Sequence, residues 1–272
     1  MNLMKNLKNK YITVLSALAL LLIVSSCEKE IDVDLRSVPP RIQIEGIVKQ
    51  NQLARVRVSH TLDFNDNSGY PFLKDAIVVI SDNAGNTETL KQDNSGWYVA
   101  ENIKGVIGCT YNLSVKYEDK EYTSISKMPP LVKLDSLSMY KAPIMDYAIP
   151  MIHFTDPKGE INQYYRCLVF INGKQLPDVN ELALSAQLMD GSPIHQFLPI
   201  FTNDEDVDPI KQGDDIRIEL QCIDKGAYTF FYTLSRIEDS KNNPTSNITG
   251  GALGYFCAAT VDEMTIIAEW EE

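Results

Sequence analysis

Residues 110–117 read Thr-Tyr-Asn-Leu-Ser-Val-Lys-Tyr. Tyr111, Leu113, Val115 and Tyr117 alternate with Asn112, Ser114 and Lys116, the period of two that gives an extended chain one apolar and one wet side. The same alternation recurs upstream, where Ile42 and Ile44 interleave with Arg41, Gln43 and Glu45, and Val56 and Val58 with Arg55 and Arg57. Residues 76–80 form a continuous apolar run, as a central strand does. Asp82-Asn83-Ala84-Gly85-Asn86 and Asp93-Asn94-Ser95-Gly96 supply turn chemistry between these runs. Short strands repeating at intervals of about ten residues predict an antiparallel β-sandwich of immunoglobulin or transthyretin type over residues 41–130, closed by Met128-Pro129-Pro130.

A second β-rich part is expected over residues 131–272. Residues 164–171 read as a long strand halted at Asn172-Gly173, a hairpin signal. Ile216, Ile218, Leu220 and Cys222 share one face of a later strand, with Arg217, Glu219 and Gln221 on the other. One short helix is predicted near 226–238, apolar at Ala227, Phe230, Phe231, Leu234 and Ile237. Residues 246–254 read as a glycine-rich loop, and 264–268 as a short final strand. The fold class is therefore mainly β.

Hydrophobic residues make up 44% of the 272-residue chain and charged residues 23%, enough for a packed core. Beyond residue 26 there are 22 basic against 37 acidic side chains, a net charge of −15. Such a surface repels phosphate backbones, so nucleic acid is not an expected partner.

The N-terminus reads as an address. Lys5, Lys8 and Lys10 precede a largely apolar run of 14 residues, 11–24, with Ser16 a mild polar interruption. A membrane span needs about 20 apolar residues, so this run has the length of a signal-peptide core instead. It ends in Val24-Ser25-Ser26-Cys27, which resembles a bacterial lipobox: residues 1–26 would be the signal, with Val24, Ser25 and Ser26 recognised by the peptidase and Cys27 lipidated. Two or three acyl chains on Cys27 hold a protein stably at a membrane where a single chain does so only marginally. Residues 27–40, charge-rich and closed by Pro39-Pro40, are expected to act as the tether. The acids Glu28, Glu30, Asp32 and Asp34 resemble the export signal of surface lipoproteins in Bacteroidota.

Several segments together are similar to one family. They are the lipobox, the turn-and-strand series from Asp82 through Gly96-Trp97-Tyr98 to Thr110-Tyr111, the Met128-Pro129-Pro130 junction, Phe154-Thr155-Asp156-Pro157, Asn162-Gln163-Tyr164-Tyr165-Arg166, and the close Ser246-Asn247-Ile248-Thr249-Gly250-Gly251-Ala252-Leu253-Gly254-Tyr255-Phe256. The chain resembles the Bacteroidota outer-membrane lipoproteins grouped as a domain of unknown function (four-two-four-nine). That resemblance implies an outer-membrane lipoprotein that accompanies a TonB-dependent transporter. It supplies no catalytic residues.

The residues offer little independent chemistry. Cys109, Cys167, Cys222 and Cys257 permit two disulfides in an exported protein, yet they lie on strands without a Cys-x-x-Cys pair, and buried thiols are the favoured reading. His60, His153 and His195 are isolated in sequence and lack zinc-ligand spacing. Asp204, Asp206, Asp208 and Asp215 partly resemble a calcium loop, but Pro209 stands where that loop needs glycine, and an acidic surface loop is the favoured reading. Nucleophile-elbow, metalloprotease, phosphate-loop and dinucleotide motifs are all missing, so no enzyme activity and no cofactor are expected. Tyr164, Tyr165, Phe230, Phe231, Tyr232, Tyr255 and Phe256 offer either core or a stacking surface, core being the default. The leading functional expectation is a non-enzymatic binding or accessory lipoprotein beside a TonB-dependent transporter, on the cell surface. The alternative is a structural or adhesive surface protein that binds glycan or matrix. The ligand itself is not legible.

Overall fold

The computed structural model describes residues 39–62, 72–141, 148–159, 164–176, 182–198, 210–240 and 242–271. The first part carries β1 (Ile42–Lys49), β2 (Leu53–His60), β3 (Ile77–Asp82), β4 (Thr87–Thr89), β5 (Lys91–Gln92), β6 (Trp97–Lys104), β7 (Thr110–Tyr117) and β8 (Lys120–Lys127). The second carries β9 (Leu134–Tyr140), β10 (Ile149–Thr155), β11 (Tyr164–Ile171), β12 (Lys174–Gln175), β13 (Leu182–Ser185), β14 (Pro193–Phe197) and β15 (Asp215–Ile223). Helix α1 (Lys225–Leu234), a single turn α2 (Ile237–Ser240) and the long β16 (Leu253–Ile267) follow.

The expected strands form where alternation and turn chemistry place them. In β7, Tyr111, Leu113 and Val115 are buried while Asn112 and Lys116 are exposed. Asp82 accepts from the amides of Ala84 and Asn86, and Asp93 from those of Ser95 and Trp97, closing the two turns. Asn172 and Gly173 both have positive φ, at 50° and 81°, and join β11 to β12 in the two-residue hairpin that Asn-Gly favours.

One nine-stranded sheet runs through both parts in the order β12-β11-β15-β16-β1-β2-β6-β5, with β13 also on β11. One of its faces is covered twice. The sheet β4-β3-β7-β8 packs on β1, β2 and β6 around Ile44, Val56, Val58, Ile80 and Leu113. The sheet β14-β10-β9 packs on β11 and β15 around Ile152, Phe154, Tyr165, Ile218 and Leu220. Two β-sandwiches thus share a spine.

The spine depends on β16. Its first half pairs parallel with β1, Gln43 opposite Leu253 through Lys49 opposite Ala259. Its second half pairs antiparallel with β15, Cys222 opposite Thr260 through Asp215 opposite Ile267. Ile248, Ala252, Phe256 and Ala258 accordingly belong to the first core. The expected boundary at residue 130 is crossed, since the C-terminal segment completes the N-terminal sandwich. The expected loop over 246–254 and short strand over 264–268 are likewise corrected: β16 spans 15 residues. Residues 256–260 are all buried, so both faces of the strand are covered and alternation disappears.

Two glycines allow the parallel pairing. Gly254 has φ +97°, and a Cβ there would lie 1.9 Å from the Ile44 carbonyl oxygen. A Cβ on Gly46 would lie 2.7 Å from Cδ2 of Phe256, so the absence of a side chain there makes room for that ring. The preceding loop docks on the edge strand β8: the Thr249 amide donates to the Thr123 carbonyl at 2.8 Å, and Ser124 Oγ to the Asn247 carbonyl at 2.8 Å. This covers backbone groups that an open edge would expose. The Asn247 amide also bonds both backbone groups of Phe256.

Helix α1 is shorter than the predicted 226–238. Asp224 caps it by accepting from the Ala227 amide at 2.9 Å, and Ser235 ends it. Ala227, Phe230 and Phe231 pack on Cys257, Ala259 and Ile223, on the spine's other face. The small Cys257 and Ala259 side chains leave room there for the two rings. No helix among the described residues is long and apolar enough to cross a membrane.

Candidate functional site

The spine's other face, which α1 covers only in part, carries the polar half of the alternating strands. Beside α1 it forms a cleft of about 340 Å³. Lys49 from β1, Arg55 and Arg57 from β2, and Arg166 from β11 supply its cations. Trp97 from β6, Phe230 and Phe231 from α1, and Tyr255 from β16 supply its aromatic walls. Gln43, Gln175 and Gln221 add amides.

The floor is a buried ionic chain. Lys49 Nζ donates to Glu219 Oε1 at 2.5 Å, Gln221 Nε2 donates to the same oxygen at 2.5 Å, and Arg166 Nη1 donates to Gln221 Oε1 at 3.3 Å. The Arg166 guanidinium lies 3.6 Å from the centroid of the Phe231 ring, a cation–π contact that fixes the helix over the sheet. Burial alone raises the Glu219 pKa; the Lys49 charge and hydrogen bond, the Gln221 amide and the Arg166 charge outweigh it and hold the carboxyl below its ordinary range. Glu219 is therefore an anion paired with a cation from the far side of β16.

The rim is different. Arg57 Nη2 pairs with Glu45 Oε2 at 2.5 Å. Arg55 and Arg57 both sit over Trp97, at 4.8 and 4.9 Å from its ring centroid. Among the described residues no carboxylate pairs with Arg55, which keeps its planar set of N–H donors available on an aromatic support. Four cations against Glu45 and Glu219 make this cleft basic within a chain of net charge −12, and cations of one sign set in a low-dielectric wall focus anions.

Of the aromatic residues singled out from sequence, Phe230, Phe231 and Tyr255 line this cleft, whereas Tyr164, Tyr165 and Phe256 are core. Of the other cleft residues, Gln43, Glu45, Arg55, Arg57 and Gln221 appear in the sequence as the wet side of alternating strands, Trp97 and Arg166 only within the family-like segments, and Lys49 and Gln175 carry no signal of their own. The signal that could have found them is the charge density of that side, with Arg55, Arg57 and Glu45 on adjacent strands.

The other expected sites stand as follows. Val24, Ser25, Ser26 and Cys27 lie outside the described residues, as do Asp204, Asp206 and Asp208. Asp215 opens β15, where its amide donates to Asn172 Oδ1 at 3.0 Å. No group of three or more potential metal ligands occurs among the described residues. Cys109, Cys167, Cys222 and Cys257 are thiols rather than half-cystines. Cys109 is half-buried with its Sγ donating to Asn83 Oδ1, and the other three are fully buried. The histidines are not all isolated: His153 on β10 stands opposite His195 on β14.

Comparison with known proteins adds a family. Residues 28–265 match the model described as Domain of unknown function (DUF4249). A search of curated proteins returned no match. Among solved structures, a DUF4785 family protein from Legionella pneumophila aligns at 10% identity with a TM-score of 0.25, covering 66% of this chain and 52% of that one. The chain thus spans about half the length of that structure.

Proposed function

The chain belongs to the DUF4249 family, and from that premise we propose that it is an outer-membrane lipoprotein displayed at the cell surface, a non-enzymatic binding or accessory subunit beside a TonB-dependent transporter. The cleft between α1 and the spine is its ligand-contacting surface. The observation that supports a binding role is the way the cleft is built. Its side chains come from β1, β2, β6, β11, β12, β15, β16 and α1, and not from loops, so a bound group meets donors already held in place. Acyl chains on Cys27 would confine this cleft to the membrane surface and raise its effective concentration at a transporter mouth. Arg55 on Trp97 suits a polar ligand with an anionic group.

The test is a pull-down of the tagged full chain from outer membrane solubilised in mild detergent, with mass spectrometry of what co-purifies. A near-stoichiometric β-barrel transporter is expected. Recovery of the lipoprotein alone overturns the accessory role, and an adhesive or structural surface role takes its place.

A further inference from the structure

The hydrogen bonds inside the cleft decide what it has left to offer a ligand. Lys49 and Gln221 both donate to Glu219, and Arg57 and Gln43 both donate to Glu45. Arg166 is engaged with Gln221 and with the Phe231 ring. Arg55 differs. It is exposed, it rests on Trp97, and its guanidinium makes no hydrogen bond or ion pair among the described residues.

The surface beside Arg55 is apolar. Ile47 stands directly opposite it in the β1–β2 register, on the cleft side and only 6% exposed. Tyr255 of β16 stands opposite Glu45, with the Phe230 and Phe231 rings 5.0 and 4.7 Å from its own and Leu234 on the same wall. Arg55 and Tyr255 are thus two strand spacings apart and two residues apart along the strands, about 12 Å between backbones. Both side chains reach into that interval, and Ile47 floors it.

We propose that the cleft binds a small aryl carboxylate, its carboxylate on the Arg55 guanidinium and its ring against Tyr255, Phe230 and Leu234. This rests on the cleft being the ligand-contacting surface and names the class of its ligand. A planar guanidinium meets a planar carboxylate through two parallel bonds. One guanidinium balances one negative charge; a doubly charged phosphate calls for a second cation, and Lys49 and Arg57 are already paired. A sugar brings many hydroxyls, and with the Gln43 and Gln221 amides bonded to carboxylates those hydroxyls would stay unpaired. The ring of the ligand gains from tilted packing on the aromatic wall. A volume of about 340 Å³ lies at the small end of small-molecule sites, the size such a molecule needs.

The full chain in mild detergent is titrated calorimetrically with 3-phenylpropionate, its uncharged amide, propionate and maltotriose. One equivalent of 3-phenylpropionate is expected to bind, with the amide and propionate each at least tenfold weaker, because each lacks one of the two contacts. Arg55→Gln should weaken 3-phenylpropionate at least tenfold and leave the amide unchanged, and Leu234→Gln should weaken both at least threefold. Arg55 is exposed and Leu234 partly so, and circular dichroism checks that both variants fold. Absence of 3-phenylpropionate binding, or equal affinity for acid and amide, overturns the proposal. The two readings fail separately. Maltotriose binding in its place, weakened by Leu234→Gln, keeps the cleft as the contact surface and replaces the ligand class. Binding of 3-phenylpropionate that neither variant changes puts its site elsewhere and removes the cleft from both readings. The pull-down from outer membrane tests the accessory role by itself.

Discussion

Lys49 on β1 and Glu219 on β15 form an ion pair, Nζ to Oε1 at 2.5 Å, over the intervening strand β16. Their side chains are only 14% and 8% exposed, and they come from the two β-rich parts that the sequence suggests are separate. In the register Lys49 stands opposite Ala259 of β16 and Glu219 opposite Glu263. Taking two charges out of water is unfavourable, so such a pair specifies an arrangement more than it adds net stability. Replacing Glu219 by Gln leaves Lys49 partly buried without its counter-ion and should destabilise the chain by about 3 kcal/mol. A Lys49→Met, Glu219→Leu double variant should recover most of that loss. Urea denaturation of the two single variants and the double closes the cycle, and strict additivity would show that the two charges do not interact.

Acid stability follows from two groups with opposite charge logic and the same sign. Burial and the neighbouring His195 hold the His153 pKa below its ordinary 6.5, against the partial pull of Asp135. The unfolded chain therefore takes up a proton before the folded one, and stability falls as pH drops below about 6.5. Glu219 is held below its ordinary 4.5, so its contribution is complete above that value and is lost as pH falls through the lower folded one. The urea midpoint should decline in two stages between pH 7 and pH 3. His153→Gln should remove the first stage, and Glu219→Gln should shrink the second, to which Asp82, Glu88 and Asp93, held below their ordinary values by hydrogen bonds, also contribute. A single stage unaffected by His153→Gln would contradict the assignment.

What the sequence discloses and withholds follows burial on one side or two. The strand β7 is legible because one face is wet, and β15 because its residues alternate in polarity, Ile216, Ile218 and Leu220 with Arg217, Glu219 and Gln221. The turn at Asn172-Gly173 is legible because only residues tolerant of positive φ fit it. β16 is not, because residues 256–260 are buried on both faces and include Ala258 and Ala259, small residues with weak strand preference. The cleft is hidden for the converse reason. Glu219 and Gln221 occupy positions that alternation assigns to water, yet they are 6% and 0% exposed because α1 returns over that face. The His153–His195 pair needs register, which a single sequence does not give.

Gly254 offers a sharp test of the parallel pairing. Its φ of +97° and the 1.9 Å approach of a Cβ to the Ile44 carbonyl oxygen exclude any side chain unless β1 and β16 separate. Gly254→Ala should destabilise the chain by more than about 3 kcal/mol, because both strain and lost ladder bonds contribute. Gly85 has a similar φ of +93°, with nothing within 4 Å of its would-be Cβ. Gly85→Ala should therefore lower stability by only about 1 kcal/mol, from backbone strain alone. Thermal melts of the two variants separate steric exclusion from conformational preference, and equal losses would mean that the β1–β16 contact is not formed as described.

The four body cysteines provide a readout of the packing that requires no ligand. Cys167, Cys222 and Cys257 lie in the shared sheet with their side chains buried, and burial raises the Cys222 thiol pKa further from the reactive range. Cys109 sits beside the β7 start, half-buried, its Sγ toward Asn83. With Cys27 replaced by serine, the native chain should react with a thiol reagent such as dithionitrobenzoate at one site, lost in Cys109→Ser. In denaturant without reductant all four should react. Two or fewer reactive groups under those conditions would reveal a disulfide and displace the thiol assignment. Rapid native reaction at three or four sites would mean that the spine opens readily, and the fixed cleft built on it would lose its foundation.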